Sequence, residues 1–145
     1  MHAGRGTEFI DVLAGAVFVR HLGIEVATIE ADRAVLTLPF DDEAVTVQDI
    51  IHGGAIASLI DTAAVAAAWS NVDFDESGRP HGATVGMTVN YLSSARSQGV
   101  TAEAKVQRRG SRLVFLDVTV TGDDDGRVIA TGLVTYSLAG ARAPA

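Results

Sequence analysis

The chain contains no cysteine. Disulfide bridges, thiolate nucleophiles and cysteine-based metal centres are therefore excluded. Aromatic residues make up only 6% of the 145 residues, with a single tryptophan, so the core has to be built from Ala, Val, Ile and Leu. Positive charge is also scarce, since 11 Lys and Arg against 18 Asp and Glu give a net charge of −7. Such a chain offers nucleic acid no broad basic face, although a local arginine cluster can still hold a small anion. No long apolar run is present. The best candidate, residues 55–69, is interrupted by Asp61 and falls short of the roughly 18 residues a membrane span needs. The N-terminus lacks a basic segment followed by an unbroken apolar one, so it does not read as a secretory signal. The expected setting is the cytoplasm, with no membrane partner.

No repeat, low-complexity block or linker divides the chain, and its length fits one domain, residues 1–145. An N-terminal helical segment is expected over residues 1–22. Within it Phe9, Val12, Leu13, Ala16 and Val17 mark an amphipathic helix over 9–19, with Thr7 as N-cap and Gly23 as terminator. Two strands follow at 23–31 and 34–40, joined by a turn at Ala31-Asp32-Arg33, with Val35 and Leu36 competing for the inward side of the second. A long helix is expected over 52–70 and a polar loop over 71–81, broken by Gly78 and Pro80. Four strands then run at 83–92, 100–108, 112–121 and 127–138. In the third, Leu113, Phe115, Val118 and Val120 alternate with polar residues apart from one phase slip. Gly110-Ser111 and Gly122-Asp123-Asp124-Asp125-Gly126 are hairpin turns. The acidic run lacks the ligand spacing of a calcium loop, His2, His21 and His81 show no convergent spacing with one another or with an acid, and no metal site is read. The tail, 140–145, reads as loose. One long helix beside an antiparallel sheet is an α+β architecture.

The long helix is apolar on every side, which predicts burial all round. Its one ionisable residue is Asp61. A buried carboxylate costs several kcal/mol unless paired or hydrogen-bonded. Two readings follow. Asp61 is a structural acid satisfied by Ser58, Thr62 or the Trp69 indole, or it is a general base or nucleophile in a dry pocket. The helix opens on His52-Gly53-Gly54. Two glycines weaken a helical turn but admit a close neighbour, so they serve either tight packing or a ligand. Free amides at a helix start also suit an oxyanion. Asp61 lies eight residues beyond Gly53, about 12 Å along one helix. That is too far for both to act on one carbon, so a reaction site would combine Gly53 of one copy with Asp61 of another. This predicts a homodimer.

The stretch HGGAIASLIDTAAVAAAW, followed by ATVGMTVNYLSSAR, resembles the hotdog-fold acyl-CoA thioesterases, in particular the phenylacetic-acid-degradation (PaaI-like) group. The resemblance covers roughly residues 23–138. It implies a hotdog fold, with an antiparallel sheet wrapped around one long central helix, and a dimer commonly paired into a tetramer. It implies hydrolysis of acyl-CoA, with coenzyme A entering as part of the substrate and no other cofactor. By position it makes Asp61 the catalytic carboxylate, as base for water or as nucleophile, and Gly53 the backbone N–H that polarises the carbonyl. Thr84 becomes the hydroxyl that faces the acid from the neighbouring subunit. The segment Tyr91, Leu92, Ser93, Ser94, Ala95 and Arg96 would border coenzyme A, together with Gly54. The hairpin Arg108, Arg109, Gly110, Ser111 and Arg112 would lie near its phosphates.

His52 either orients the helix start or acts on substrate, and the structural role is favoured here. The chain departs from the family pattern upstream of HGG, where Thr46 and Asp49 stand in place of Asn and Gly; Gln48 is the side chain that would substitute for the Asn. Candidates for lining an acyl pocket are Ile50, Ile51, Ile56, Leu59, Ile60, Val65, Trp69 and Phe74. The alternative to hydrolysis is a non-hydrolytic protein of the same fold that binds acyl-CoA or an aromatic ligand.

Overall fold

The structure, a computed structural model, describes residues 3–75 and 80–142. Six antiparallel strands form the main sheet, in spatial order β2-β3-β6-β7-β8-β5. They are β2 (Glu25–Glu30), β3 (Arg33–Leu38), β5 (His81–Tyr91), β6 (Val100–Arg109), β7 (Leu113–Gly122) and β8 (Val128–Ala139). The central helix α3 (Gly53–Trp69) lies across one face, so the α+β hotdog architecture holds.

The inward sides are cleanly apolar. Leu36 and Leu38 of β3, Ala102 and Ala104 of β6, and Val114, Leu116, Val118 and Val120 of β7 are buried. They meet Ile56, Leu59, Ile60, Ala63, Ala64 and Ala67 of α3, which are buried as well. The alanines let helix and sheet approach closely. At Gly132 of β8 a Cβ would come within 2.7 Å of Ile60 Cγ2, so that strand must stay bare beneath the helix. Leu36, not Val35, takes the inward place, opposite Ala102. The phase slip in β7 resolves with Leu113 and Phe115 on the outer surface.

The N-terminal segment differs from expectation. It forms two short helices, α1 (Gly6–Ala14) and α2 (Val17–Leu22), because Gly15 caps the first and Ala16 is extended. Thr7 sits inside α1, whose cap position is Arg5. Gly23 does end α2, in the left-handed region at φ 78°. A second sheet was not legible beforehand: β1 (Ala3–Arg5), β4 (Asp73–Asp75) and β9 (Ala141–Arg142) pair side by side. The tail is therefore tied down at residues 141–142, and residues 143–145 lie outside the described residues, as do His2 and the Gly78 breaker.

Trp69 joins these parts. Its ring stacks on Phe9 at 4.0 Å and meets Phe74 edge-on at 6.3 Å, while its indole N–H donates to the Tyr136 hydroxyl at 3.0 Å. Gly6 packs directly on the Trp69 carbonyl and donates its N–H to Val72 at 2.8 Å. Among the described residues no helix is long and apolar enough to cross a membrane.

Candidate active site

The start of α3 explains the His-Gly-Gly sequence in local terms. His52 is the N-cap, and its Nδ1 accepts the Gly54 N–H at 2.8 Å. This cap is an imidazole doing what Ser or Asp does elsewhere. A Cβ on Gly54 would stand 2.9 Å from that same Nδ1, so Gly54 is the residue the cap permits. Gly53 has a different neighbour. The Tyr91 hydroxyl donates to the Gly53 carbonyl at 2.9 Å, and a Cβ on Gly53 would lie 3.3 Å from the Tyr91 ring. With Gly54 engaged by the cap, the Gly53 N–H is the helix-start amide left without an acceptor among the described contacts.

One stripe of α3 remains uncovered by the protein's own sheet. Gly53, Ala57, Ser58, Asp61 and Val65 are partly exposed and Gly54 is exposed, whereas most other positions are buried. This corrects the expectation of burial all round: the open stripe carries the acid. Asp61 is not held by the groups expected to satisfy it. Ser58 Oγ donates to the Gly54 carbonyl, Thr62 Oγ1 to the Ser58 carbonyl, and Trp69 to Tyr136. Its partner is Thr84 of β5, whose hydroxyl donates to Asp61 Oδ1 at 2.6 Å. That contact forms within one chain, not across a subunit boundary. A bulge between Thr84 and Gly86 interrupts the β5–β8 register at this point, a device that re-aims a side chain. Opposite Thr84 in the register stands Tyr136. Burial, and secondarily the Asp61 charge, push the Tyr136 phenol above its ordinary range, against the opposing effect of the Trp69 hydrogen bond.

The segment after β5 reaches the same helix end. Ala95 is buried and accepts the Ile51 N–H at 3.0 Å, and Ser93 Oγ donates to the Val128 carbonyl. Leu92 and Ser94 are exposed beside them. Arg96 reaches Asp49 at 3.2 Å, and Ser97 Oγ donates to the other Asp49 oxygen at 2.7 Å. These contacts, the Ser97 hydrogen bond foremost, hold the Asp49 carboxyl below the usual carboxylate range. Asp49 is thus matched by its own cation. Gln48 occupies the tip of the preceding turn, at φ 55°, with an exposed side chain and no hydrogen bond to the acid.

The hairpin arginines divide. Arg108 and Arg112 are exposed and line an open groove of about 790 Å³ with Gly110, Ser111 and His81. Arg109 turns inward, contrary to its assignment beside a phosphate. It donates to the Ala68 carbonyl at 3.0 Å and pairs with Asp32 at 2.7 Å, tying the C-terminal end of α3 to the β2–β3 turn. Of the apolar pocket candidates, Leu59, Ile60 and Trp69 are wholly buried core, and Ile51 and Ile56 nearly so. Ile50, Val65 and Phe74 are partly open. Sequence reasoning missed Phe18 and Leu22 of α2, which border the helix start in a cavity with His52, Gly54 and Ser58. Nothing in their spacing separated them from core residues.

A sequence model of the thioesterase superfamily matches residues 48–129, from the turn before α3 into β8. The medium/long-chain acyl-CoA thioesterase YigI of Salmonella typhimurium is 29% identical over 143 residues, covering 86% of this chain and 90% of that protein. The crystal structure of a thioesterase family protein from Silicibacter pomeroyi is 26% identical, with a TM-score of 0.82, covering 93% of this chain and 98% of that one. The PaaI protein of the E. coli phenylacetic acid degradation operon shares the fold at a TM-score of 0.71 and 19% identity, covering 91% of this chain and 92% of that one.

Proposed function

The chain belongs to the thioesterase superfamily, and from that premise we propose that it hydrolyses acyl-CoA, with Asp61 as its carboxylate and the Gly53 N–H as its oxyanion donor. The observation that carries this reading is the Thr84–Asp61 hydrogen bond on the open stripe of α3. Thr84 takes up Oδ1 and leaves Oδ2 for water. Asp61 accepts a proton from that water as its oxygen attacks the thioester carbon. Attack by the carboxylate itself, through an anhydride that water then opens, uses the same atoms. The carbonyl oxygen becomes an anion, met by the Gly53 amide and the positive end of the helix. The C–S bond then breaks, and coenzyme A leaves as a thiolate, with a pKa near about 8.5 for a free thiol. A leaving group of that kind needs little help, which is why no triad is required.

A second copy completes the site in this reading. Gly53 and Asp61 of one helix are about 12 Å apart along its axis. Strand β5 is an edge of the sheet, eleven residues long and exposed along most of its length. From end to end it spans about 33 Å, with the Arg108/Arg112 groove near its His81 end and Gly53 at its Tyr91 end. Two β5 strands paired antiparallel would bring the basic groove of one subunit to the Gly53 end of the other. Coenzyme A phosphates on Arg108 and Arg112 would then lie within reach of the partner's helix start.

Release of free thiol from a panel of acyl-CoAs tests the proposal. Asp61→Asn keeps the shape and should lower kcat by about 10²–10⁴. Turnover at the wild-type rate in Asp61→Asn would overturn the assignment. Tight binding by the wild type without thiol release would instead mark a binding protein.

A further inference from the structure

One cavity of the protein borders the face of α3 that carries the acid. It measures about 190 Å³ and lies between α2 and the start of α3. Its apolar walls are Phe18 and Leu22 of α2, Ala44 and Val45, and Ala55 of α3, while Gly54 and Ser58 belong to the open stripe. Helical phase explains the placement. Each residue advances by about 100°, so Gly54, Ser58 and Asp61 share a narrow sector, with Gly53 and Ala57 on one side and Ala55 on the other. Tyr91 and Thr84 of β5 stand on the first side, bonded to Gly53 and Asp61. The cavity opens on the second. A carbonyl centred over the stripe therefore has a polar strand to one side and an apolar hollow to the other.

We infer that this hollow receives the acyl chain of the substrate, and that Phe18 sets the chain length the enzyme favours. The inference rests on the reading of Asp61 and Gly53 given above and adds the substrate class to it. Two of the polar atoms beside the hollow are engaged within the protein. His52 Nδ1 holds the Gly54 amide, and Ser58 Oγ donates to the Gly54 carbonyl. Glu43 stands at the rim, and its charge opposes an acyl group that ends in a carboxylate. The walls thus suit an uncharged hydrocarbon chain. Phe18 is 60% exposed although it faces the cavity, and a chain laid against it removes apolar surface from water on both partners.

Rates with acetyl-, butanoyl-, hexanoyl- and octanoyl-CoA test this in wild type, Phe18→Ala and Ala44→Leu. Each methylene seated in the hollow should raise kcat/KM about fourfold, or about fifteenfold per two-carbon step, until the space is full. Phe18→Ala should lower the octanoyl-to-acetyl ratio of kcat/KM about tenfold. Ala44→Leu, which fills the hollow, should move the optimum to shorter chains. Because Phe18 lies on the surface, its truncation should leave the melting temperature where it was. If the wild type hydrolyses the series but both variants keep its chain-length profile, the acyl chain lies elsewhere and the inference fails while the thioesterase reading stands. If no member of the series is hydrolysed by any of the three proteins, the parent reading fails and the inference with it.

Discussion

Replacing His52 by alanine removes the acceptor that holds the Gly54 amide at 2.8 Å. Loss of an N-cap costs about 1 kcal/mol, within a range of about 0.5–2. Unfolding entropy is about 2.1 cal/mol/K per residue. For 145 residues, 1 kcal/mol therefore corresponds to a Tm lower by about 3 °C. If the frayed Gly53–Gly54 turn carries all of that loss into the transition state, kcat falls about fivefold. A general acid or base removed from the same position would cost about 10²–10⁴, so the two roles separate cleanly by magnitude. Asparagine supplies a good capping oxygen, and His52→Asn should recover most of both stability and rate. Thermal unfolding and thiol release from octanoyl-CoA, measured on wild type, His52→Ala and His52→Asn, give the answer. A drop beyond about a hundredfold that asparagine does not recover, with Tm unchanged, would refute the capping role.

Other perturbations follow from contacts described above. Gly82→Ala should destabilise the protein by about 1–3 kcal/mol, read as a lower denaturant midpoint, because its Cβ would stand 2.6 Å from the Tyr136 ring two residues before Thr84. Arg109→Leu removes the donors to the Ala68 carbonyl and to Asp32 Oδ1; it should lower Tm without raising KM, whereas Arg108→Ser and Arg112→Ser should raise KM for acyl-CoA with Tm intact. Met87→Asp places a charge on β5 and should yield inactive monomers in sedimentation. Glu103 is held below the usual carboxylate range, chiefly by the Arg33 hydrogen bond, and Asp49 chiefly by Ser97. Both therefore favour the folded state above the ordinary carboxylate pKa, near about 4, and that contribution is lost as pH falls below it. Tm should decline across that acidic window, and less steeply in Glu103→Gln.

The central helix was legible to within a residue at each end, because Gly-Gly, the apolar run and the following polar loop all mark its limits. The six main strands were legible too, since alternation and hairpin turns agree. Three-residue strands such as β1 and β4 carry no periodicity, and only the partner across the fold defines them. The division at Gly15 was hidden because the apolar spacing continues through it. Arg109 read like its neighbours because its partners, Asp32 and Ala68, lie 77 and 41 residues away in the chain. Thr84 was located, but no sequence spacing reveals whether it meets the acid of its own chain. Phe18 escaped for the same reason: a cavity is made by elements brought together from three separate stretches.

The two borders of the main sheet are unlike. On the β2 side the strand has six residues, a bulge between Val26 and Thr28, and exposed glutamates at both ends. Features of this sort turn away an approaching strand. The β5 border is nearly twice as long, at 11 residues, and carries Val85, 62% exposed, with no acidic residue along it. Pairing of two molecules through β5, as proposed above, would be self-complementary and would use up that border in both. The guarded margin would then be all that remained outward on either flank, and ribbon-like polymerisation would have no site from which to continue.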